Sequence, residues 1–228
     1  MKKLILFAAL AAFASCSSDD NSIVTEQGLK IKKQTNSISG EMNYFYGSNG
    51  FISEIRSFQD GLNYIAKYNY NGNKLINKRY YSDNQMVGGL DLKYNESGFI
   101  SQTVTIIEEP TVKIDYTYNS ENILIESKLY SNDYLTYTAN YQYSGNNCTK
   151  RIITYADGSI MNTEYQFEAN SVNPYKFSET PEIRKIYLWG DNMVKKENEF
   201  EYQIEYNNKR YPVKMSLGSK VLGTFSYQ

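Results

Sequence analysis

The chain has no histidine, two cysteines, four prolines and one tryptophan in 228 residues. Each scarcity closes off some chemistry. Without histidine there is no Ser-His-Asp or Cys-His nucleophile system. Zinc sites built on imidazole are excluded as well, and two cysteines do not make a thiolate site. No Gly-rich loop of the phosphate-cradling kind occurs. Lysine and arginine number 24 against 25 acids, a formal charge of −1, with none of the basic clustering that a nucleic-acid groove needs. The one long apolar run is Leu4 to Phe13, behind Lys2 and Lys3. It is too short to span a bilayer and has the layout of a signal peptide. Nothing in the composition calls for a cofactor or a metal.

The apolar run ends in Phe13-Ala14-Ser15-Cys16. Small residues followed by cysteine resemble a bacterial lipobox, in which Cys16 is lipidated and becomes the first mature residue. The alternative is an ordinary secretory signal cut near Ala14. Asp19 and Asp20 resemble the export tags of surface-exposed lipoproteins in the Bacteroidetes. The organisation expected is a signal peptide over 1–15, a lipidated polar tether over 16–27, and a single β-repeat domain over 28–228. Removing Lys2 and Lys3 takes the formal charge from −1 to −3. With Cys16 carrying lipid, Cys148 has no partner and no intrachain disulfide forms.

What the chain has in excess is tyrosine, 23 residues, with 10 phenylalanines, a composition that suits pleated, half-buried strands. The tyrosines are periodic. Tyr46, Tyr70, Tyr94, Tyr118, Tyr143 and Phe167 fall at spacings of 24, 24, 24, 25 and 24, and two residues before them stand Tyr44, Tyr68, Leu92, Tyr116, Tyr141 and Tyr165. A turn with Gly or Asn follows, as in Asn71-Gly72, then an aliphatic start, as in Phe51-Ile52, Leu75-Ile76, Phe99-Ile100 and Ile123-Leu124. Such a period marks a repeated supersecondary unit. Tyr-x-Tyr lays two rings on one face of a strand, the Asn-Gly turn reverses it, and a second turn such as Asp60-Gly61 or Asp157-Gly158 closes the unit. The fold expected is all-β: an antiparallel meander of tandem hairpins on a 24-residue repeat, rolled into a barrel-like shell. About fifteen strands are expected, sixteen with Leu29 to Lys33, and no helix. The last phrase, Phe225-Ser226-Tyr227, has no return strand to pair with. The register breaks near 170–190, where about fifteen residues are inserted.

One strand face is aromatic and the other polar: Leu135, Tyr137, Ala139, Tyr141 and Tyr143 against Thr136, Thr138, Asn140 and Gln142. A sheet with one buried face reads this way, and so does a membrane barrel with aromatics toward lipid. Short turns and charges on both faces of the return strands, Lys78 beside Arg79 among them, favour the first. Cys148 falls where other units place an aliphatic, which makes it a buried small hydrophobe.

The order of these pieces is similar to the YD repeats of Rhs-type proteins in degenerate form, with Asn69, Asn71, Asn95 and Asn119 where Asp is usual. It more closely resembles Bacteroidetes lipoproteins with a domain described as having a porin-like fold. These carry an Asn-Pro-aromatic loop late in the chain and then a Tyr-Pro strand start. Asn173-Pro174-Tyr175 and Tyr211-Pro212-Val213-Lys214 occupy those places. The resemblance covers residues 40–228 and implies a fold but no activity. The function expected is a lipid-anchored outer-membrane protein at the cell surface, non-enzymatic, binding or scaffolding a glycan or an envelope protein and touching the membrane through the lipid on Cys16. The alternatives are an outer-membrane pore-like β-barrel and a glycan-active enzyme. Glu108-Glu109 and Glu199/Glu201 are the densest carboxylates but fit solvated turns and edges. Binding loops on a rigid β scaffold point to the break in the repeat, with Tyr175, Tyr187, Trp189 and Asp191 as the candidate ligand contacts.

Overall fold

The structure, a computed structural model, describes residues 28–36, 40–106, 110–188 and 190–228. The expected signal peptide and tether with Cys16, and Glu108, Glu109 and Trp189, lie outside the described residues. The chain forms the antiparallel meander expected. Its first half runs β1 (Ile31–Asn36), β2 (Gly40–Tyr46), β3 (Ile52–Gln59), β4 (Leu62–Asn71), β5 (Lys74–Ser82), β6 (Gln85–Tyr94), β7 (Ile100–Ile106) and β8 (Val112–Tyr118). Then come β9 (Leu124–Ser131), β10 (Tyr134–Ser144), β11 (Asn147–Tyr155) and β12 (Ile160–Phe167). A helix, α1 (Pro181–Ile186), precedes β13 (Val194–Glu197), β14 (Phe200–Glu201), β15 (Gln203–Tyr206), β16 (Pro212–Leu217) and β17 (Lys220–Tyr227).

Seventeen strands rather than fifteen are described, and the last is not left unpaired. β17 lies antiparallel to β1, with Gln34 opposite Phe225, while β1 also pairs with β2. The sheet therefore returns on itself as a nearly closed barrel. Its weak place is β13–β14, a pair of only two residues a side, where Tyr202 separates β14 from β15.

The repeat has a mechanical explanation. In each unit the second aromatic sits opposite the first aliphatic of the return strand: Tyr46 and Ile52, Tyr70 and Leu75, Tyr94 and Ile100, Tyr118 and Leu124, Tyr143 and Cys148. A register shift precedes every one of these pairs, so each hairpin is bulged at the same height. The aliphatics form a sealed ring, with Ile52, Leu75, Ile100 and Cys148 at 0% exposure and Leu124 at 1%. Above the ring, five tyrosine hydroxyls tie a hairpin to the strand pair before it. Tyr70 donates to the Ile52 carbonyl at 2.8 Å, Tyr94 to Leu75 at 2.7 Å and Tyr118 to Ile100 at 2.9 Å. Tyr46 donates to Ile31 and Tyr227 to Pro212, each at 2.6 Å.

Asparagine at the turns has its own task. The side-chain carbonyls of Asn95, Asn119 and Asn207 accept from the amides of Phe99, Ile123 and Tyr211 at 2.9–3.0 Å, closing the turn with a side chain. At the opposite end, Asp83-Asn84 and Asn132-Asp133 hold positive φ at both positions, the requirement of a two-residue hairpin turn. The barrel thus has an aromatic end and a far end. One expected face is corrected: a bulge between Leu135 and Tyr137 places Leu135 opposite Tyr130, on the outside, where it is exposed.

Two substitutions test this arrangement. Tyr94→Phe removes one inter-hairpin bond and lowers stability by about 1 kcal/mol, a Tm loss of about 2–4 °C for a chain of this size. Ile100→Ala opens the sealed ring and costs about 2–5 kcal/mol. Chemical denaturation of both variants checks the order.

Candidate functional site

The break in the repeat is an enlarged turn. Phe167 and Val194 sit opposite each other across β12 and β13 after the usual register shift, as Tyr143 and Cys148 do one unit earlier. Residues 168–193 stand where other units have a short Asn or Gly turn, a longer insertion than the fifteen residues expected. They close the aromatic end of the barrel. The α1 helix was not foreseen: six residues are too short for a periodic signal, although its caps are legible. The Thr180 hydroxyl accepts from the Ile183 amide, Pro181 opens the helix and Glu182 stands in its first turn, a set of start signals.

The segment is tied to strands on several sides. The Ser178 carbonyl accepts from the Ile52 amide at 3.0 Å and its hydroxyl from the Ile31 amide at 3.2 Å. The Val172 amide donates to the Arg210 carbonyl at 3.0 Å. Lys185 donates to the Asn122 carbonyl at 3.2 Å, its ammonium 4.0 Å from the Phe99 ring. Asn146 and Asn147, in the β10–β11 turn, donate to Asp191 and Asn192 at 3.2 and 3.0 Å.

At its centre the plug carries a carboxylate into the barrel. Glu179, with 2% of its side chain exposed, lies 3.7 Å from the ammonium of Lys78, with 4% exposed. Lys78 stands 4.4 Å from the Tyr68 ring centroid and 5.0 Å from that of Tyr187. Burial raises the Glu179 carboxyl above its ordinary range, and Lys78 opposes that rise. Lys78 and Arg79, neighbours in sequence, face opposite ways: Arg79 pairs outside with Asp91 at 2.6 Å. Strand alternation alone separates the two, yet nothing in the sequence places Glu179 against Lys78.

The candidate contacts divide. Tyr175 is buried and its hydroxyl donates to Gln34 at 2.7 Å, as does Tyr44. Tyr187 packs against the same core. Burial pushes the Tyr175 hydroxyl up to about 12. Asp191 belongs to a different group, pairing with Arg184 at 3.0 Å and Lys176 at 3.7 Å. Burial alone raises its carboxyl, but Asn146, Lys176 and Arg184 together bring it below the usual range. Cys148 is buried in the ring, which pushes its thiol up to about 12 and keeps it from acting as a thiolate. Glu199 and Glu201 are exposed beside the β13–β14 turn. Among the described residues, no group of three His, Cys, Asp or Glu is arranged to hold a metal, and no helix is long and apolar enough to cross a membrane.

Comparison with solved structures finds one of the same fold and others of looser likeness. A porin-like protein from Bacteroides uniformis ATCC 8492 superposes with a TM-score of 0.54 at 11% identity, over 88% of this chain and 96% of that one. A porin-like protein from Bacteroides vulgatus ATCC 8482 gives 0.39 at 10% identity, over 88% and 99%. The TcdB2-TccC3-Cdc42 structure gives 0.34 at 15% identity, over 83% of this chain but 12% of that one. The first match establishes a common fold; identities this low carry nothing about activity. No protein-family model and no curated protein matches the chain.

Lys78→Met leaves Glu179 buried without its cation and destabilises the protein by about 3–5 kcal/mol; Lys78→Met with Glu179→Gln recovers most of that loss. The carboxyl sits above 4.5 in the folded state, so the folded protein holds the extra proton and Glu179's contribution falls as pH rises from about 4.5. Burial shifts Glu197 the same way. Denaturation measured between about pH 4.5 and 7 therefore shows a shallower decline in Glu179→Gln, not a flat one.

Proposed function

We propose that the chain is a lipid-anchored protein of the outer membrane, held through Cys16 and facing the cell surface, which binds or scaffolds a glycan or an envelope protein without catalysing a reaction. The observation that carries this reading is the outer wall. Its cross-strand neighbours are ion pairs: Lys33 with Glu41 at 2.5 Å, Arg79 with Asp91 at 2.6 Å, Lys150 with Glu164 at 2.9 Å and Lys214 with Glu205 at 2.6 Å. The periodic tyrosines, among them Tyr44, Tyr68, Tyr70, Tyr94, Tyr116 and Tyr118, pack on the core inside. A lipid-facing barrel needs the reverse, apolar outside and polar within, so a lipid tail on Cys16 is the more economical anchor.

The point of chain entry supports an orientation. The Leu29 amide donates to the Tyr211 hydroxyl at 2.9 Å, and Lys30 and Gln228 exchange backbone bonds at 3.2 and 2.9 Å. The tether therefore joins the barrel at its plugged end. Twelve residues, 16–27, reach at most ~40 Å, so the plugged end is the end nearest the anchor along the chain. The second reading is a pore-like barrel. It is favoured by the returning sheet and by the likeness to the porin-like Bacteroides uniformis protein, and weighed against by the plug and the charged wall.

Metabolic labelling with an alkyne fatty acid separates the two. Label on the wild type that disappears in Cys16→Ser, with release of that variant into the soluble fraction, is the expected result. Retention of the unlabelled variant in membranes after an alkaline wash would establish the pore-like reading instead.

A further inference from the structure

Among the described residues, two cations on the strands enter the barrel, and their surroundings differ. Lys78 meets Glu179 from the plug. Arg151 is the second. It lies opposite Tyr141 on β10 and Thr163 on β12, and Thr163 is buried at 4% exposure, so the side chain points inward. Its neighbour Lys150 points out and pairs with Glu164. Arg151 is half-buried, its Nε is fully enclosed without a hydrogen-bond partner, and no carboxylate of the described residues lies within ion-pair range.

The surroundings of Arg151 are phenolic. Burial raises the hydroxyls of Tyr137, Tyr141 and Tyr165, that of Tyr165 to about 12, and the Arg151 charge pulls back on all three. One inward acid, Glu197 opposite Tyr165 on β13, feels the Arg151 charge. It is already engaged, accepting from the Tyr202 hydroxyl at 3.2 Å. An enclosed guanidinium edge without an acceptor is costly, and a planar fork of donors matches a carboxylate.

The wall opens toward the far end. Along the inner face of β12, exposure climbs from 4% at Thr163 to 40% at Met161. Toward that mouth Tyr137 and Tyr155 stand edge to face, ring centroids 6.0 Å apart. Arg151 and Tyr155 are four residues apart on one strand, roughly 13 Å at 3.3 Å per residue. A ligand touching both is longer than a single sugar ring.

We propose that the inner wall of β10, β11 and β12 binds an acidic glycan, a uronic-acid oligosaccharide, with a carboxylate on Arg151 and sugar rings against the phenol faces of Tyr137 and Tyr155. This rests on the binding reading above and names its ligand class. It places recognition at the mouth opposite the plug, not at the break in the repeat.

The test is calorimetric titration of the full chain in detergent with trigalacturonate, its fully methyl-esterified form and inorganic sulfate. Trigalacturonate binds; the ester, which keeps the rings and loses the charge, binds at least about tenfold more weakly. Arg151→Met loses about 10–100-fold. Arg151→Lys, which keeps the charge and loses the fork, falls between. Thermal unfolding of Arg151→Met stays level or rises, since an unpaired inward cation is removed. Equal binding of acid and ester, or an unaffected Arg151→Met, overturns the acidic class while leaving a neutral-glycan binder standing. Full competition by sulfate overturns the sugar assignment. No binding by folded wild type, or a Tm drop of several degrees in Arg151→Met, overturns the site. Lipid labelling of Cys16 is read separately, so loss of the ligand and loss of the anchor are distinguished.

Discussion

Everything in this barrel hangs on one recurring contact: a tyrosine hydroxyl of one hairpin bonded to the first buried carbonyl of the hairpin before it. Antiparallel ladders alone fix neighbours but tolerate sliding, because a slip of two residues keeps the same faces. The bulge before each Tyr–aliphatic pair and the phenol bond across units remove that freedom. Each Tyr reaches one carbonyl and no other at the correct height. A bond of this kind contributes only about 1 kcal/mol. Made by Tyr46, Tyr70, Tyr94, Tyr118 and Tyr227, it sets a common level for the aliphatic ring on that side, and the plug docks on that level through the Ile52 and Ile31 amides.

The fold was legible in the sequence because the device repeats. Six aromatic phrases in register outweigh the ambiguity of any single one, and the Asn and Gly turns carry their backbone requirement in their identity. What was not legible is everything that occurs once. Closure of β17 on β1 depends on how far the sheet curls, which no local window encodes. Leu135 changed sides because a bulge adds a residue without altering the pattern of letters. The short helix offered Thr180-Pro181-Glu182 but no period.

The candidate site shows the same division. Tyr175, Tyr187 and Asp191 were chosen because they fall outside the repeat, and the structure places all three in the segment that closes the barrel. Their partners come from strands far away in sequence: Gln34 for Tyr175, Lys78 for Tyr187, Asn146 for Asp191. Strand parity separates Lys78 from Arg79 and Arg151 from Lys150, but which inward cation meets an acid is decided by the plug, whose course only three dimensions reveal.

The pairing of β1 with both β2 and β17 has a consequence for biogenesis. β1 is the first strand of the barrel in chain order and β17 the last, so one edge of β1 stays bare until β17 has been made. An unpaired edge is a template for mispairing, and closing a ring between the two ends of a chain is the slowest class of contact to form. Hairpins build one upon another as they appear, since each needs only its predecessor's carbonyl. The barrel itself becomes a barrel in a single late event, once β17 has formed and meets β1.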